Sequence, residues 1–449
     1  MVRTEGGVRL ARRKTLLVIV ILGLMALFLS PWTATPVPKP QPSDVPEREP
    51  SEPLTVTAIA DEESPADLAV AAVIDEEGFE QLRRQSDDYQ ARHPEVAVHW
   101  SRIDPASASL AGDIREGIET SDLMLVPNEW VRDLAVDGSL QPVDSVFVGD
   151  ALSEQFEAVI SQMKWNGYLW GVPRAMDPYV LLWNKNILDS LQSGTGPVAP
   201  PLSLEQWRNL PQLLADKGLI ASWLAIDGTD PFALLAWLGA ATGKRQDAIM
   251  DRADAIWSSD ALDKALQLLD EQRAGIAGIQ DQAEFWPAFA AGQYAAAVAR
   301  GSEAKRALEE LPESAKSAIL IDRSVWQTPF VWPNGTSFVL SSRSKQEDAA
   351  KRWLTEMTAP SLQLDDYENG GLLPVNRPLY GRLTGSESLL VTAPASEFPY
   401  QATLAAEPGM PSLAARLRSL WSDWFQGRLA TREWKERWLG SLADTQTHD

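Results

Sequence analysis

The stretch Trp165–Leu188, WNGYLWGVPRAMDPYVLLWNKNIL, restricts the fold of this chain more than any other. Asn166-Gly167 suits the positive φ angles of a tight turn. Alternating bulky residues follow, and then Gly171 and Pro173, where a regular ladder should break and the chain change direction. After Asp177-Pro178 comes a compact apolar run, Tyr179 to Trp183, rich in aromatic and branched residues and short enough for a buried strand. Asn184-Lys185-Asn186 closes it. Such a segment reads as a hinge between two bodies. A strand, turn and strand inside any α/β sheet gives the same pattern, so the rest of the chain has to decide.

At 449 residues the chain exceeds one ordinary domain, and two lobes or domains are expected. The net charge of −22 argues against nucleic acid or an anionic lipid surface as partner. Residues 1–53 carry seven Lys/Arg and five Asp/Glu, so the acidity belongs to the remainder, at −24. The absence of cysteine removes disulfides, thiolate metal sites, a Cys nucleophile and the lipid-modified Cys of a bacterial lipoprotein. His93, His99 and His448 have no second metal-type side chain at ligand spacing. No metal and no cofactor is therefore expected.

Arg9, Arg12, Arg13 and Lys14 precede the apolar stretch Leu16–Leu29, the layout of a secretory signal or a signal anchor. The stretch is short for a membrane span. Ser30-Pro31-Trp32 spoils the obvious cleavage site and Thr33-Ala34-Thr35 is a weak one, which favours an uncleaved anchor in 1–30 over a signal removed after secretion. Residues 31–53 hold eight prolines and form an extended, semi-rigid tether. Folding then begins at Leu54–Ala60 or at Leu68–Ile74.

Phe79, Leu82 and Tyr89 sit near helical spacing in a segment that ends at His93-Pro94, and Val96–Trp100 alternates as a strand, which makes a βαβ unit. Asp122–Val126 is a second hydrophobic strand, ending in Pro127-Asn128-Glu129-Trp130. Ligands of parallel α/β sheets sit at the carboxyl ends of strands, so Asn128, Glu129 and Trp130 are placed to meet one; an ordinary polar loop with one packed Trp is the alternative. Ser203-Leu204-Glu205-Gln206 has the form of a capping box, with Trp207, Leu210 and Leu213 on the face that follows. Helical text continues through Phe232–Ala241, Ala261–Arg273 and Phe285–Phe289. Ala350, Trp353, Leu354 and Met357 share one face of a helix over Glu347–Met357. Two final helices, Ser412–Phe425 and Thr431–Leu442, put Leu417, Leu420, Trp424, Trp434, Trp438 and Leu442 at core spacing.

"Gly-x-Pro, about eight residues, aromatic-Asn-Lys" (Gly171, Pro173, Trp183-Asn184-Lys185) resembles the first inter-lobe crossing of extracellular solute-binding proteins of the maltose/oligosaccharide-binding type. Tyr89 with His93-Pro94 and a Val-rich strand is similar to the first unit of that family. Val136–Leu140 resembles its "Gly, then Leu" turn, and Ala290–Val298 followed by Arg300-Gly301-Ser302-Glu303 resembles its small-residue strand and ligand loop. Val331–Leu340 resembles a second crossing, and Gly370-Gly371 with Leu373-Pro374-Val375 the turn before a third. The resemblance spans residues 68–442 in order. It implies an α/β, periplasmic-binding-protein-like fold of type II: two α/β lobes joined by three hinge crossings near Pro173, Asn334 and Pro378. The first lobe would take 54–175 and 335–378, the second 176–334 and 379–449.

By the same resemblance Asp177 occupies the place of an acidic ligand residue; an ordinary cap of the turn before Pro178 is the alternative. Arg300, Glu303, Trp332 and Asn334 join Asn128, Glu129, Trp130 and Asp177 as candidate ligand-binding residues. The chain departs from the family where maltodextrin binders place a stacking Trp, here Glu303, and at an aromatic position near the C-terminal helices, since Trp421 and Trp424 fall further along. The implied function is capture of a small solute, a carbohydrate, by cleft closure and delivery to the permease subunits of an ABC importer. A monomer held at the extracellular face of the membrane by its N-terminal segment is expected. A sensor serving a membrane histidine kinase is a second reading. An enzyme is a third, but Gly-x-Ser-x-Gly and a phosphate-cradling loop are both absent, and only a glycosidase with two carboxylates among 62 acids could hide here.

Overall fold

A computed structural model describes residues 65–192, 198–219, 221–243, 255–322, 334–383 and 408–445. The basic and apolar N-terminal segment, the proline-rich stretch, Leu54–Ala60 and Trp332 lie outside them. No helix among the described residues is long and apolar enough to cross a membrane.

β1 (Ala66–Val73), α1 (Glu76–Arg92) and β2 (Val96–Ile103) form the expected βαβ unit, with β1 and β2 parallel. Asp75 caps α1 by accepting from Gly78 N (2.8 Å), and Leu82 and Tyr89 bury its inner face. The helix stops at His93 because a residue before proline disfavours helical backbone. α2 (Leu110–Thr120), β3 (Leu123–Pro127), α3 (Trp130–Val136) and β4 (Leu140–Gln141) repeat the alternation. After α4 (Glu157–Met163), the hairpin of β5 (Lys164–Trp165) and β6 (Tyr168–Leu169) turns at Asn166 and Gly167, whose φ angles are 48° and 85°.

β7 (Val172–Met176) includes Pro173. The expected break appears as a register shift in the partner strand, between Thr336 and Ser337. The change of direction comes later, at Asp177-Pro178, because a proline strand can continue where its missing donor is absorbed by that irregularity. β8 (Tyr179–Asn184) is buried at every position, which explains its unbroken apolar run. Then come α5 (Lys185–Leu191), α6 (Leu204–Asp216, with the Ser203–Gln206 capping box), β9 (Leu224–Ile226), α7 (Pro231–Thr242), α8 (Asp260–Glu271), β10 (Ile276–Gly278), α9 (Gln282–Ala290), β11 (Ala296–Arg300), α10 (Gly301–Glu310) and β12 (Ile319–Asp322). The chain ends with β13 (Thr336–Ser341), α11 (Glu347–Met357), α12 (Pro360–Gly370), β14 (Leu373–Pro374), α13 (Met410–Phe425) and α14 (Thr431–Thr445).

Two sheets result. The first has the order β14-β7-β13-β3-β1-β2, with β4 also on β13; the second has the order β10-β9-β11-β8-β12. β1, β2 and β3 run parallel, as do β10, β9 and β11, whereas β13 and β8 run against their neighbours. Each sheet has its own apolar core. Among the described residues the chain changes lobe three times: at Asp177-Pro178, between Asp322 and Thr336, and beyond β14, since α13 and α14 pack into the second core. Trp183, Trp207, Trp223 and Trp237 pack against one another in that core, and Trp421, Trp424, Trp434 and Trp438 are buried there too. The C-terminal tryptophans are core residues, as their spacing indicates.

α12 ties the lobes together. Leu364 and Tyr367 face the second core, while Asp366 Oδ1 accepts from Arg174 Nη2 of β7 (2.9 Å) and from Gln85 Nε2 of α1 (2.9 Å). Arg174 also donates to Met357 O (2.9 Å) and to Gln85 Oε1.

Candidate functional site

The carboxyl ends of the parallel strands of both sheets point at the seam between the lobes, and the polar side chains collect there. On the first lobe β3 runs out into Asn128, whose N–H donates to Gly335 O (3.1 Å) and whose Oδ1 accepts from Ser337 Oγ (2.7 Å). Asn128 is fully buried, and its Nδ2 has no partner among the described residues. Glu129 follows, half-buried at the head of α3. Trp130 turns into the first core, with the Arg115 guanidinium 6.0 Å from its ring centre.

On the second lobe three chain segments meet. β8 enters through Asp177 and Tyr179, β11 ends at Arg300, and the loop after β9 delivers Asp230. Asp230 caps α7, its Oδ1 accepting from Phe232 N (3.0 Å), while its Oδ2 accepts from Arg300 Nη2 (3.2 Å) and from the Tyr179 hydroxyl. Pro231 at the first helical position fits this start. Among the described residues Arg300 makes that one side-chain bond, and it leaves 46% of its side-chain surface open to solvent. Glu303 folds back onto the Arg300 N–H (3.4 Å).

Asp177 is engaged on both oxygens by one residue: Ser302 N donates to Oδ1 (2.9 Å) and Ser302 Oγ to Oδ2 (2.7 Å). Its carbonyl accepts from Asn334 Nδ2 (3.0 Å), and Pro178 O accepts from Gly301 N (2.9 Å). Asn334, with a left-handed φ of 43°, thus fastens the second passage between lobes to the first.

Burial dominates the electrostatics. It raises the Glu129 carboxyl above its ordinary range, against the pull of its own backbone hydrogen bond and of Arg418 and Arg300. Asp177 and Glu303 are raised for the same first reason, with Arg300 opposing. Burial likewise pushes the Tyr179 phenol well up, and the adjoining Asp230 carboxylate adds to it, so the hydroxyl is a fixed donor. Burial works against the charge of Arg300, but the oxygens of Tyr179, Asp230, Asp177 and Glu303 outweigh it and keep the guanidinium protonated.

The seam therefore brings together Asn128, Glu129, Asp177, Arg300, Glu303 and Asn334. Trp130 is directed elsewhere, and Trp332 lies outside the described residues. Sequence reasoning missed Tyr179, Asp230 and Arg418. Asp230-Pro231 carried a usable signal, a cap residue followed by proline directly before an apolar helical run; Tyr179 was hidden in a core pattern, and Arg418 in a core helix.

Solved structures share this fold. The GacH receptor of Streptomyces glaucescens, determined unliganded and with acarbose, superposes with a TM-score of 0.66 at 17% identity, over 86% of this chain and 100% of its own. Maltose-bound MalE3 of T. maritima gives 0.65 at 14% identity, over 84% and 99%. An ABC transporter solute-binding protein of Agrobacterium vitis S4 with bound D-mannitol gives 0.62 at 12% identity, over 85% and 98%. These likenesses, to binding proteins and not to enzymes, establish the type II periplasmic-binding-protein fold. Residues 85–380, from the inner face of α1 to a few residues past β14, match the bacterial extracellular solute-binding proteins, and the chain belongs to that family.

Proposed function

We propose that this protein captures a carbohydrate between its lobes and passes it to the permease subunits of an ABC importer. The observation that carries the reading is the Tyr179–Asp230–Arg300 constellation with Glu129 near it: a fixed hydroxyl, a guanidinium with spare donors and a carboxylate, of mixed sign. Such a set suits a neutral ligand rich in hydroxyls, which needs donors and acceptors side by side. The acarbose, maltose and mannitol bound by the similar proteins support that class. In this reading Glu129 and Arg300 touch the ligand, and the buried Asn128 with Asp177, Glu303 and Asn334 holds the seam in shape.

The test is a thermal-shift panel of mono- and oligosaccharides against amino acids, peptides and polyamines, followed by calorimetry on the hits. Sugars are expected to raise the melting temperature; a response confined to cationic ligands would sink the reading. The poor cleavage site at Ser30-Pro31-Trp32, after the basic flank and Leu16–Leu29, supports retention of that segment as a membrane tether. N-terminal sequencing of native material checks it, and a mature start beyond Trp32 would show the segment to be only a signal.

A further inference from the structure

Beside the seam, the second lobe carries a hollow of about 260 Å³ on the same edge of its sheet. It lies where β9 and β10 end, and the register Ala297↔Ala225 brings Arg300 of β11 level with the loop after β9. β10 stands two strands from β11, ~10 Å away. The loop between them ends in Asp230, the residue that holds Arg300. The hollow and the seam are thus neighbouring stations along one rim.

Its floor is aromatic. The half-buried Phe425 ring rests on bare backbone: a Cβ on Gly228 would stand 2.6 Å from the ring, and one on Gly278 3.3 Å from it. Trp421 holds the ring from the side at 5.5 Å, and its Nε1 donates to Asp227 O (2.8 Å), tying the wall to α13. The rim is polar, with Thr229, Gln280 and Gln426 all exposed. Gln280 makes no hydrogen bond to any other described residue. The volume falls just below the ~300 Å³ at which pockets for drug-sized ligands begin, which suits one ring and not a whole ligand.

We propose that this hollow is a second carbohydrate subsite, taking one pyranose ring of an oligosaccharide whose other rings lie against Arg300 and Asp230. An apolar sugar face would rest on Phe425 and hydroxyls would meet the amide of Gln280, the pairing of aromatic surface and planar polar group that sugars favour; Gln426 is already bonded to Ser422 Oγ and Arg428. The inference rests on the carbohydrate reading and adds that the ligand has more than one ring.

Calorimetry with gluco-, xylo- and manno-oligosaccharides of one to five rings tests it, on the full chain and on Phe425→Leu and Gln280→Ala. Affinity should rise with ring number. In both variants the gain from added rings should fall by about tenfold, equivalent to about 1.4 kcal/mol, while the shortest sugar that binds keeps its affinity. Gln280→Ala changes an exposed side chain, so it carries the test even if Phe425→Leu folds poorly. Sugars that bind without dependence on length, or long sugars that bind both variants as well as the parent, overturn this inference and leave the carbohydrate reading standing. Failure of every sugar overturns both.

Discussion

Two Arg–Asp pairs separate the framework of this protein from its site. Arg174 and Asp366 sit where the lobes join, each with 4% of its side chain exposed; Arg300 and Asp230 sit at the seam, at 46% and 10%. Arg174 divides its donors among Asp366, Gln85 and Met357 O, so its charge is spent on the fold. Among the described residues Arg300 is aimed by one bond, which leaves its other donors in reserve. A guanidinium that is saturated and dry holds structure, and one that is oriented but unsaturated is poised to bind.

The largest effect is expected at the buried pair. Arg174→Met strands Asp366 in the joint, and breaking a buried pair of this kind costs about 3–5 kcal/mol, read as a fall in the urea midpoint. Adding Asp366→Leu should recover a large part of it, because the double variant buries no lone charge. A single variant as stable as the parent would show that the joint does not depend on this pair. Arg300→Ala reverses the pattern. Losing one or two charge-assisted bonds of about 1.5–3 kcal/mol each weakens sugar binding by about one to four orders of magnitude at 1.4 kcal/mol per decade, with the melting temperature nearly unchanged. Equal losses of stability at the two arginines would erase the distinction.

How far the sequence went follows the same division. The turn at Asn166-Gly167, the capping box at Ser203 and the Trp-bearing C-terminal helices were legible because each is written in contiguous residues whose local chemistry decides the structure. The first lobe's strand end at Asn128-Glu129 was legible by the carboxyl-end rule. Trp130 was misread because the chain turns helical at that residue, and the turn carries the ring into the core. Asp230 comes to Arg300 from a distant loop, across a sheet whose strand order no local pattern encodes. The Arg174–Asp366 joint was invisible for the same reason: a buried ion pair leaves no periodic trace, and its partners lie far apart in the chain.

Asp177 tests the boundary between the two kinds of site. Both its oxygens serve Ser302 at the start of α10, so it acts as a cap supplied from another element. Asp177→Ala should destabilise by about 1 kcal/mol, with a range of 0.5–2, whereas Asn caps nearly as well as Asp. Chemical denaturation of both variants, paired with calorimetry on the ligand found, decides the matter. A large loss of affinity in Asp177→Asn at unchanged stability would move Asp177 from framework to site.

The smallest effect is the most particular to a binding seam. Burial raises the Glu129 carboxyl in the folded protein above its ordinary 4.5. The folded state therefore holds this proton more tightly than the unfolded chain does, and the stability gained is fully present below about pH 4.5 and lost as pH rises through the folded value. Above the folded value the ionised carboxylate burdens the empty protein, as expected of a group kept for a ligand. Glu129→Gln, which mimics the protonated form, should raise the melting temperature of the empty protein at pH 7 by on the order of 1 °C and weaken sugar binding. The gain should vanish as both proteins are titrated below pH 4.5, where the parent carries its own proton. Should Arg418 and Arg300 outweigh burial, Glu129→Gln would melt lower than the parent at pH 7, and Glu129 would belong with Arg174 among the residues that hold the fold.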